Sequence, residues 1–295
     1  LNYTPRFAID ARALRRAFNR ASGSYDAACQ LQNEVRDELL QRLELFALQP
    51  RRILDLGAGT GAGSLALRRR YRGAGVYAVD LADAMLRQAQ RRGWPWQRPQ
   101  LVAAEACALP FAAGSFELVF CSLMLQWCDD PPQAFAEIAR VLAPGGLLLF
   151  ATFGPATLQE LRAAWDAADN ISAHVSELPD LPSIAQAMTQ AGLREPVLDR
   201  ELRVRHYSSV RTLANELRAL GAVNAARGRR RSITGKQRLA TMQAAYELQR
   251  GAAGLPASYE IVCGAAFGAG PESARPPAGE VHVPVAQIGR RGAPS

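Results

Sequence analysis

Apolar positions in the first 48 residues recur every three or four places: Ile9, Leu14 and Phe18, then Leu31, Val35, Leu39 and Leu43. That spacing lines one face of a helix, and Ser22-Gly23-Ser24 interrupts it, so the pattern predicts helices on either side of a break. Beyond Pro50 the period changes. Arg52-Ile53-Leu54-Asp55-Leu56 is a short strand-like run ending in Gly57-Ala58-Gly59-Thr60-Gly61, followed by a helical stretch with Leu65 and Leu67 that reaches Arg70. Residues 76–80 predict a second strand, 83–92 a helix, 101–104 a third strand and 116–121 a fourth. Over 132–142, Phe135, Ile138 and Val141 share a helical face, which stops at Pro144-Gly145-Gly146 before a fifth strand over 147–152.

Strands alternating with helices at this spacing predict βαβ units, hence an α/β fold with a mostly parallel sheet covered on both faces. After Phe153 the pattern predicts helices over 156–168 and 183–191, a strand over 197–205 and a helix over 209–220. Thr234 and Gln237 form a capping box for a helix reaching about Gln249, and 257–267 reads as the last strand. The layout expected is N-terminal helices over 1–48, a sheet domain over 49–268 and a tail over 269–295. In the Gly- and Pro-rich tail only Val281, Val283 and Val285 alternate, which suits disorder or a loosely docked edge strand.

Hydrophobic residues at 48% and charged residues at 21% allow a sizeable core over 295 residues and exclude wholesale disorder. No apolar run approaches 18 residues, and Arg6, Asp10 and Arg12 charge the opening stretch, against a transmembrane helix or a secretory signal. The chain opens on Leu1, which leaves open a leader ahead of it. Five cysteines, Cys29, Cys107, Cys121, Cys128 and Cys263, form no C-x-x-C pair, and three histidines assemble no zinc spacing. Buried, inert thiols in a reducing cytoplasm are expected.

The net charge of +8 has an address. Arg227, Arg229, Arg230, Arg231, Lys236 and Arg238 lie between Gly221 and Tyr246, a stretch with no acidic residue, so the segment from Arg227 to Arg238 predicts an anionic partner.

Gly57-x-Gly59-x-Gly61 between a strand and a helix lets the backbone approach a ligand closely. With Ala62 it also satisfies the dinucleotide fingerprint, and Asp80 lies at a distance suited to a ribose. Asp55 decides between ligands. A carboxylate two residues before the first glycine would face the phosphates of a dinucleotide, whereas it can bind or orient the ammonium of S-adenosylmethionine, directly or through water. Asp80 would then accept both ribose hydroxyls, and Glu105, ending the third strand, would lie beside the adenine. Three carboxylates at successive strand ends match where ligands bind in such sheets.

Ile53-Leu-Asp-Leu-Gly-Ala-Gly-Thr-Gly61, Asp80, Glu105-x-x-x-Leu-Pro-Phe111, Phe116-Glu-Leu-Val-Phe and Arg140-Val-Leu-Ala-Pro-Gly-Gly146 resemble the class I S-adenosylmethionine-dependent methyltransferases. The resemblance implies a Rossmann-like, seven-stranded sheet whose last strand is antiparallel. Over residues 13–267 it narrows to the malonyl-acyl-carrier-protein O-methyltransferases of biotin synthesis. Phe18-Asn-Arg-Ala-Ser-Gly-Ser-Tyr25-Asp, Leu31-Gln32, Ser122-Leu-x-Leu-Gln126-Trp127, Thr157-Leu-x-Glu-Leu161, and Gly221-Ala-Val-Asn224 continuing through Gly228-Arg229-Arg-Arg to Thr234-Gly-Lys236 carry it. Glu105 and Glu117 stand where Asp is commoner.

The resemblance implies methyl transfer from S-adenosylmethionine to the free carboxylate of malonyl-acyl carrier protein, with no general base and no metal. It assigns the cofactor to Asp55, Gly57, Gly59, Gly61, Asp80, Leu81, Glu105, Ala106 and Ser122. Tyr25 would close over the transferred methyl group, Gln126 and Trp127 would line the cleft, and Arg229 would engage the malonyl carboxylate. The N-terminal helices and the helices over about 155–192 and 207–250 would form a lid. His174, beside Ser172 and Ser176, reads as a surface residue. The basic segment suits an acidic acyl carrier protein, and the aromatic interleaving expected of an RNA-binding surface is missing. Two alternatives stand: a related methyltransferase-fold enzyme or respiratory complex I assembly factor acting on another substrate, and a non-catalytic cofactor-binding assembly protein.

Overall fold

The computed structural model describes residues 9–93, 95, 98–169, 174–229 and 235–269. The expected capping residue Thr234, the cations Arg230 and Arg231, and residues 270–295 of the tail lie outside the described residues.

Seven strands form the sheet: β1 (Arg52–Leu56), β2 (Gly75–Asp80), β3 (Gln100–Ala103), β4 (Phe116–Ser122), β5 (Leu142–Phe153), β6 (Arg194–Tyr207) and β7 (Leu255–Phe267). Their spatial order is β3-β2-β1-β4-β5-β7-β6. β3, β2, β1, β4 and β5 pair in parallel, with Ile53 opposite both Val76 and Leu118, and β7 runs antiparallel to β5 and to β6. Successive residues of a strand face opposite sides. Ile53 therefore joins one core with Leu31, Val35 and Leu39, while Leu54 joins the other with Phe135, Ile138 and Val141. Burial on both faces is why β1 is apolar at Ile53, Leu54 and Leu56.

The first core is covered by α3 (Gln30–Arg42), the second by α6 (Pro131–Val141), whose Asp130 caps it by accepting from Gln133 N at 3.0 Å. Between the strands run α4 (Ala62–Arg70) and α5 (Asp83–Arg91). From β1 the chain turns to β2 and β3 on one side and reaches β4 on the other, which opens a crevice beyond the C-terminal ends of β1 and β4.

At the N-terminus, α1 (Ala11–Ala21) and α2 (Tyr25–Ala28) precede α3, broken at Ser22-Gly23-Ser24 as the periodicity predicts. The helix expected over 156–168 is shorter, α7 (Gln159–Asp166). Residues 154–158 are held instead by Glu260 of β7: Gly154 N donates to its carbonyl and Ala156 N to its carboxylate, each at 2.8 Å. Pro144-Gly145-Gly146 falls within β5, so α6 passes directly into that strand. β6 outruns its expected 197–205 at both ends because β7 gives it partners from Arg194 to Tyr207. The remaining helices are α8 (Leu181–Gln190), α9 (Val210–Ala219) and α10 (Lys236–Glu247). Among the described residues no helix is long and apolar enough to cross a membrane.

Candidate active site

The turn after β1 is built to lie flat under a ligand. Gly57 and Gly59 take left-handed φ of +78° and +54°, a region open to glycine without strain. A Cβ on Gly57 would stand 2.3 Å from the Cβ of Met124, so only hydrogen fits between the turn and the end of β4. Gly59 N donates to Asp80 Oδ2 and Ala82 N to Asp80 Oδ1, both at 2.8 Å. These bonds fix the Asp80 carboxylate at the tip of β2, while burial pushes its pKa up.

One cavity lies above this turn, about 970 Å3 with its open mouth. Gly57, Gly59, Asp80, Leu81, Glu105, Ala106 and Ser122 line it, as do Ile9, Leu14 and Phe18 of the N-terminal segment. Gly61 does not reach it. Its φ of +82° turns the chain into α4, and a Cβ there would meet Ala89 of α5 at 2.6 Å, so this glycine serves helix packing. Asp55 lines a smaller recess beside it, with Gly57, Gly59 and Ser122. It is 3% exposed, accepts from Ser64 Oγ at 2.5 Å, and is pushed up to about 6 chiefly by burial.

A second cavity, about 1010 Å3 with its mouth, opens on the other side of Phe18, Tyr25, Leu123 and Trp127, which line both. Tyr25 also borders the Asp55 recess. It is placed by its neighbour: Asp26 accepts from Thr60 Oγ1 of the glycine turn at 2.6 Å and pairs with Arg92. Burial raises the Tyr25 phenol, which stays protonated at neutral pH. Phe18 meets Trp127 edge to face, ring centres 5.4 Å apart. Gln126 is buried in the second cavity, its Nε2 donating to Leu123 O at 2.6 Å and its Oε1 accepting from Thr152 Oγ1 at 3.2 Å. Gln32 Oε1 is buried there without a hydrogen bond from the described residues.

Arg229 is not brought to either cavity's wall. Its guanidinium reaches Asp10 Oδ2 at 3.1 Å and the Ala226 carbonyl at 2.9 Å. Those bonds belong to a strap. Asp10 N donates to Ala225 O, Ile9 N to Asp129 Oδ1 at 2.6 Å, and Arg227 lies 3.7 Å from Asp129, so the loop after α9 holds the N-terminal segment over the first cavity. Arg227 and Arg229 of the basic segment are therefore engaged within the chain, whereas Lys236 is exposed and Arg238 half-buried.

Two further expectations are corrected. Cys107 and Cys128 are not buried like Cys29, Cys121 and Cys263. Both line the first cavity, and a hydrogen bond from Cys128 draws the Cys107 thiol below its ordinary range. His174 is no surface residue: its side chain is 13% exposed, within 3.4 Å of Asp169, and lines the second cavity. Sequence reasoning also missed Met124, Asp129, Glu216 and Tyr259 as lining residues, since nothing local marks them.

Two cavities separated by a wall of four side chains, one floored by a glycine turn between strand-end carboxylates, are the layout of a two-substrate transferase on a Rossmann-like sheet. The sequence profile described as "Methyltransferase domain" matches residues 54–150. The fold also resembles the YcgJ protein of Bacillus subtilis, with a TM-score of 0.56 at 18% identity over 79% of this chain and 98% of that one. The chain thus carries a methyltransferase domain. It is 47% identical over 287 residues to the malonyl-[acyl-carrier protein] O-methyltransferase of Halorhodospira halophila, covering 96% of this chain and 97% of that protein. It is 44% identical to the protein of that name from Methylovorus, over 88% of this chain and 90% of that one. The chain belongs to the malonyl-[acyl-carrier protein] O-methyltransferase family.

Proposed function

We propose that the protein transfers a methyl group from S-adenosylmethionine to the free carboxylate of a malonyl thioester on acyl carrier protein, in the cytoplasm, as an early step toward biotin. The observation that carries this reading is the meeting of two cavities at Tyr25, one suited to the nucleoside donor and one to the acyl acceptor.

The residues fit the donor. Asp80 keeps lone pairs beyond its two backbone hydrogen bonds that would serve ribose hydroxyls, Gly57 and Gly59 would admit close approach, and Leu81, Glu105 and Ala106, which line the same cavity, would hold the adenine. Asp55 and Ser122 border the recess for the amino-acid end, where a buried carboxylate favours a cation. When bound, S-adenosylmethionine supplies a methyl group on a cationic sulfur, which leaves as a neutral thioether.

The acceptor needs no base, because the carboxylate is already the nucleophile. One of its oxygens bonds to the methyl carbon as the carbon–sulfur bond breaks and sulfur keeps the electron pair. The protein's part is alignment and exclusion of water. Phe18, Tyr25, Leu123 and Trp127 form the wall that donor and acceptor would share, with the Tyr25 phenol as a hydrogen-bond donor in it, and Gln126 would border the acceptor. The N-terminal helices and the loop after α9 act as the lid. Exposed Lys236 and the half-buried Arg238 on α10 contribute to steering an acidic carrier.

Labelled S-adenosylmethionine with malonyl-carrier protein should yield a base-labile methyl ester, and succinyl-carrier and malonyl-coenzyme A much less. Label on none of the three discards the reading.

A further inference from the structure

The second cavity poses a charge problem. A malonyl group brings a carboxylate into a partly buried space, and an unpaired charge there costs several kcal/mol. Yet no Arg or Lys stands among the described residues that line it. Gln32, Gln126, Thr157, Ser176, Asn224 and the tyrosines are neutral. Glu216, the acid in the wall, already accepts from the Tyr207 hydroxyl at 2.9 Å.

Among the described lining residues, the side chain that can carry positive charge is His174. It is not loosely placed. Its ring stacks on the indole of Trp165, centres 3.9 Å apart and planes 1° from parallel. Its Nε2 lies 3.4 Å from Asp169 Oδ2, and the Asp169 side chain is 4% exposed. An imidazole held by a buried carboxylate at one nitrogen and by an aromatic face has a fixed direction for the other. With Nε2 turned to Asp169, Nδ1 is the nitrogen left for a ligand, and in the doubly protonated ring it donates.

We propose that His174, oriented by Asp169 and Trp165, reads the free carboxylate of the acyl substrate. The inference rests on the function proposed above and names its specificity group. A single N–H has an advantage over a guanidinium fork here. A fork engages both carboxylate oxygens and lowers the nucleophilicity of each. One N–H holds one oxygen and leaves the other for methyl transfer.

The test compares wild type with His174→Phe, which keeps the aromatic stack and removes the donor, and His174→Gln, which keeps one amide donor. Binding of malonyl-carrier and acetyl-carrier to the protein saturated with S-adenosylhomocysteine reads carboxylate recognition without turnover. Wild type should prefer malonyl on the order of tenfold or more, the size of one hydrogen bond to a charged group. His174→Phe should abolish the preference and raise KM by the same factor with kcat little changed, while His174→Gln recovers part of it. S-adenosylhomocysteine affinity should be unchanged in both. A preference that survives in His174→Phe overturns the inference. Should that variant fail to fold, His174→Gln decides alone: a reduced but measurable malonyl preference with a raised KM and unchanged S-adenosylhomocysteine affinity supports the inference, and a fully wild-type preference and KM, or loss of cofactor binding, overturns it. Wild type that makes no methyl ester defeats the underlying function instead, and the two failures are distinct.

Discussion

Arg229 pairs with Asp10 beside the first cavity, Nη2 to Oδ2 at 3.1 Å, joining the loop after α9 to the residue that caps α1. Asp10 accepts from Ala13 N and from Arg229, and both lower its pKa, the Ala13 bond more. Because Ile9, Ala11 and Leu14 line the first cavity, the pair holds a wall of the space proposed for the donor.

Arg229→Ala and Asp10→Asn should therefore weaken S-adenosylhomocysteine binding alike, by at most about fivefold, as suits a partly exposed ion pair. The double variant should be no worse than the Arg229 single, since both remove one interaction. Calorimetry on the three proteins measures this. Selective loss of acyl-carrier affinity in Arg229→Ala would instead return that guanidinium to the substrate.

Asp55 sets a pH dependence with two opposite signs. Its folded pKa of about 6 stands above the ordinary value near 3.8, so between those values the folded protein holds more protons than the unfolded chain. Stability of the free protein should rise as pH falls through that window, from this group alone. A cationic ligand prefers the ionised carboxylate, so donor affinity should fall as pH drops below about 6. Asp80, also raised by burial, adds in the same direction. Asp55→Asn should bind S-adenosylmethionine weakly and lose the Asp55 share of this pH dependence between pH 5 and 8. Binding and melting curves over that range check both signs.

Much of this site was legible because strand ends are local. The run from Ile53 to Gly61, and the acids Asp80 and Glu105 after apolar runs, carry their geometry in a few adjacent residues, and the sheet order brings those ends together. What stayed hidden depends on contacts between distant segments. Nothing near Arg229 announces that Asp10 takes its charge, and nothing near His174 announces the Trp165 stack beyond a spacing that a helix and loop could fold many ways. Gly61 misled for another reason: one glycine motif serves both a ligand and the packing of α4 on α5, and only the position of Ala89 tells which.

The cysteines offer a label for the first cavity. Cys107 is accessible and drawn below the ordinary thiol range by the hydrogen bond from Cys128, whereas burial pushes Cys29, Cys121 and Cys263 up. Iodoacetamide at neutral pH should modify Cys107 first. S-adenosylhomocysteine at ten times its Kd should slow that reaction about elevenfold, as occupancy of a shared site requires. Peptide mass spectrometry over time reads both. Unchanged alkylation would separate the cavity from the donor.

The glycine turn separates ligand binding from packing. Gly59→Ala places a methyl group where nothing lies within 4 Å, at a φ of +54°, so its cost to the fold is the backbone strain of about 1–2 kcal/mol. Its methyl group lies at the cavity lined by Asp80, so donor affinity should fall further than stability does. Gly61→Ala carries similar strain and adds contact with Ala89 at 2.6 Å, where overpacking costs about 1–3 kcal/mol more. It should lower Tm more than Gly59→Ala, yet leave donor affinity of the folded fraction near wild type, because Gly61 borders neither cavity. Melting curves and calorimetry below the transition give the two orders. The ranking should invert between assays, and a common ranking in both would mean that α4 packing and the donor site are one unit.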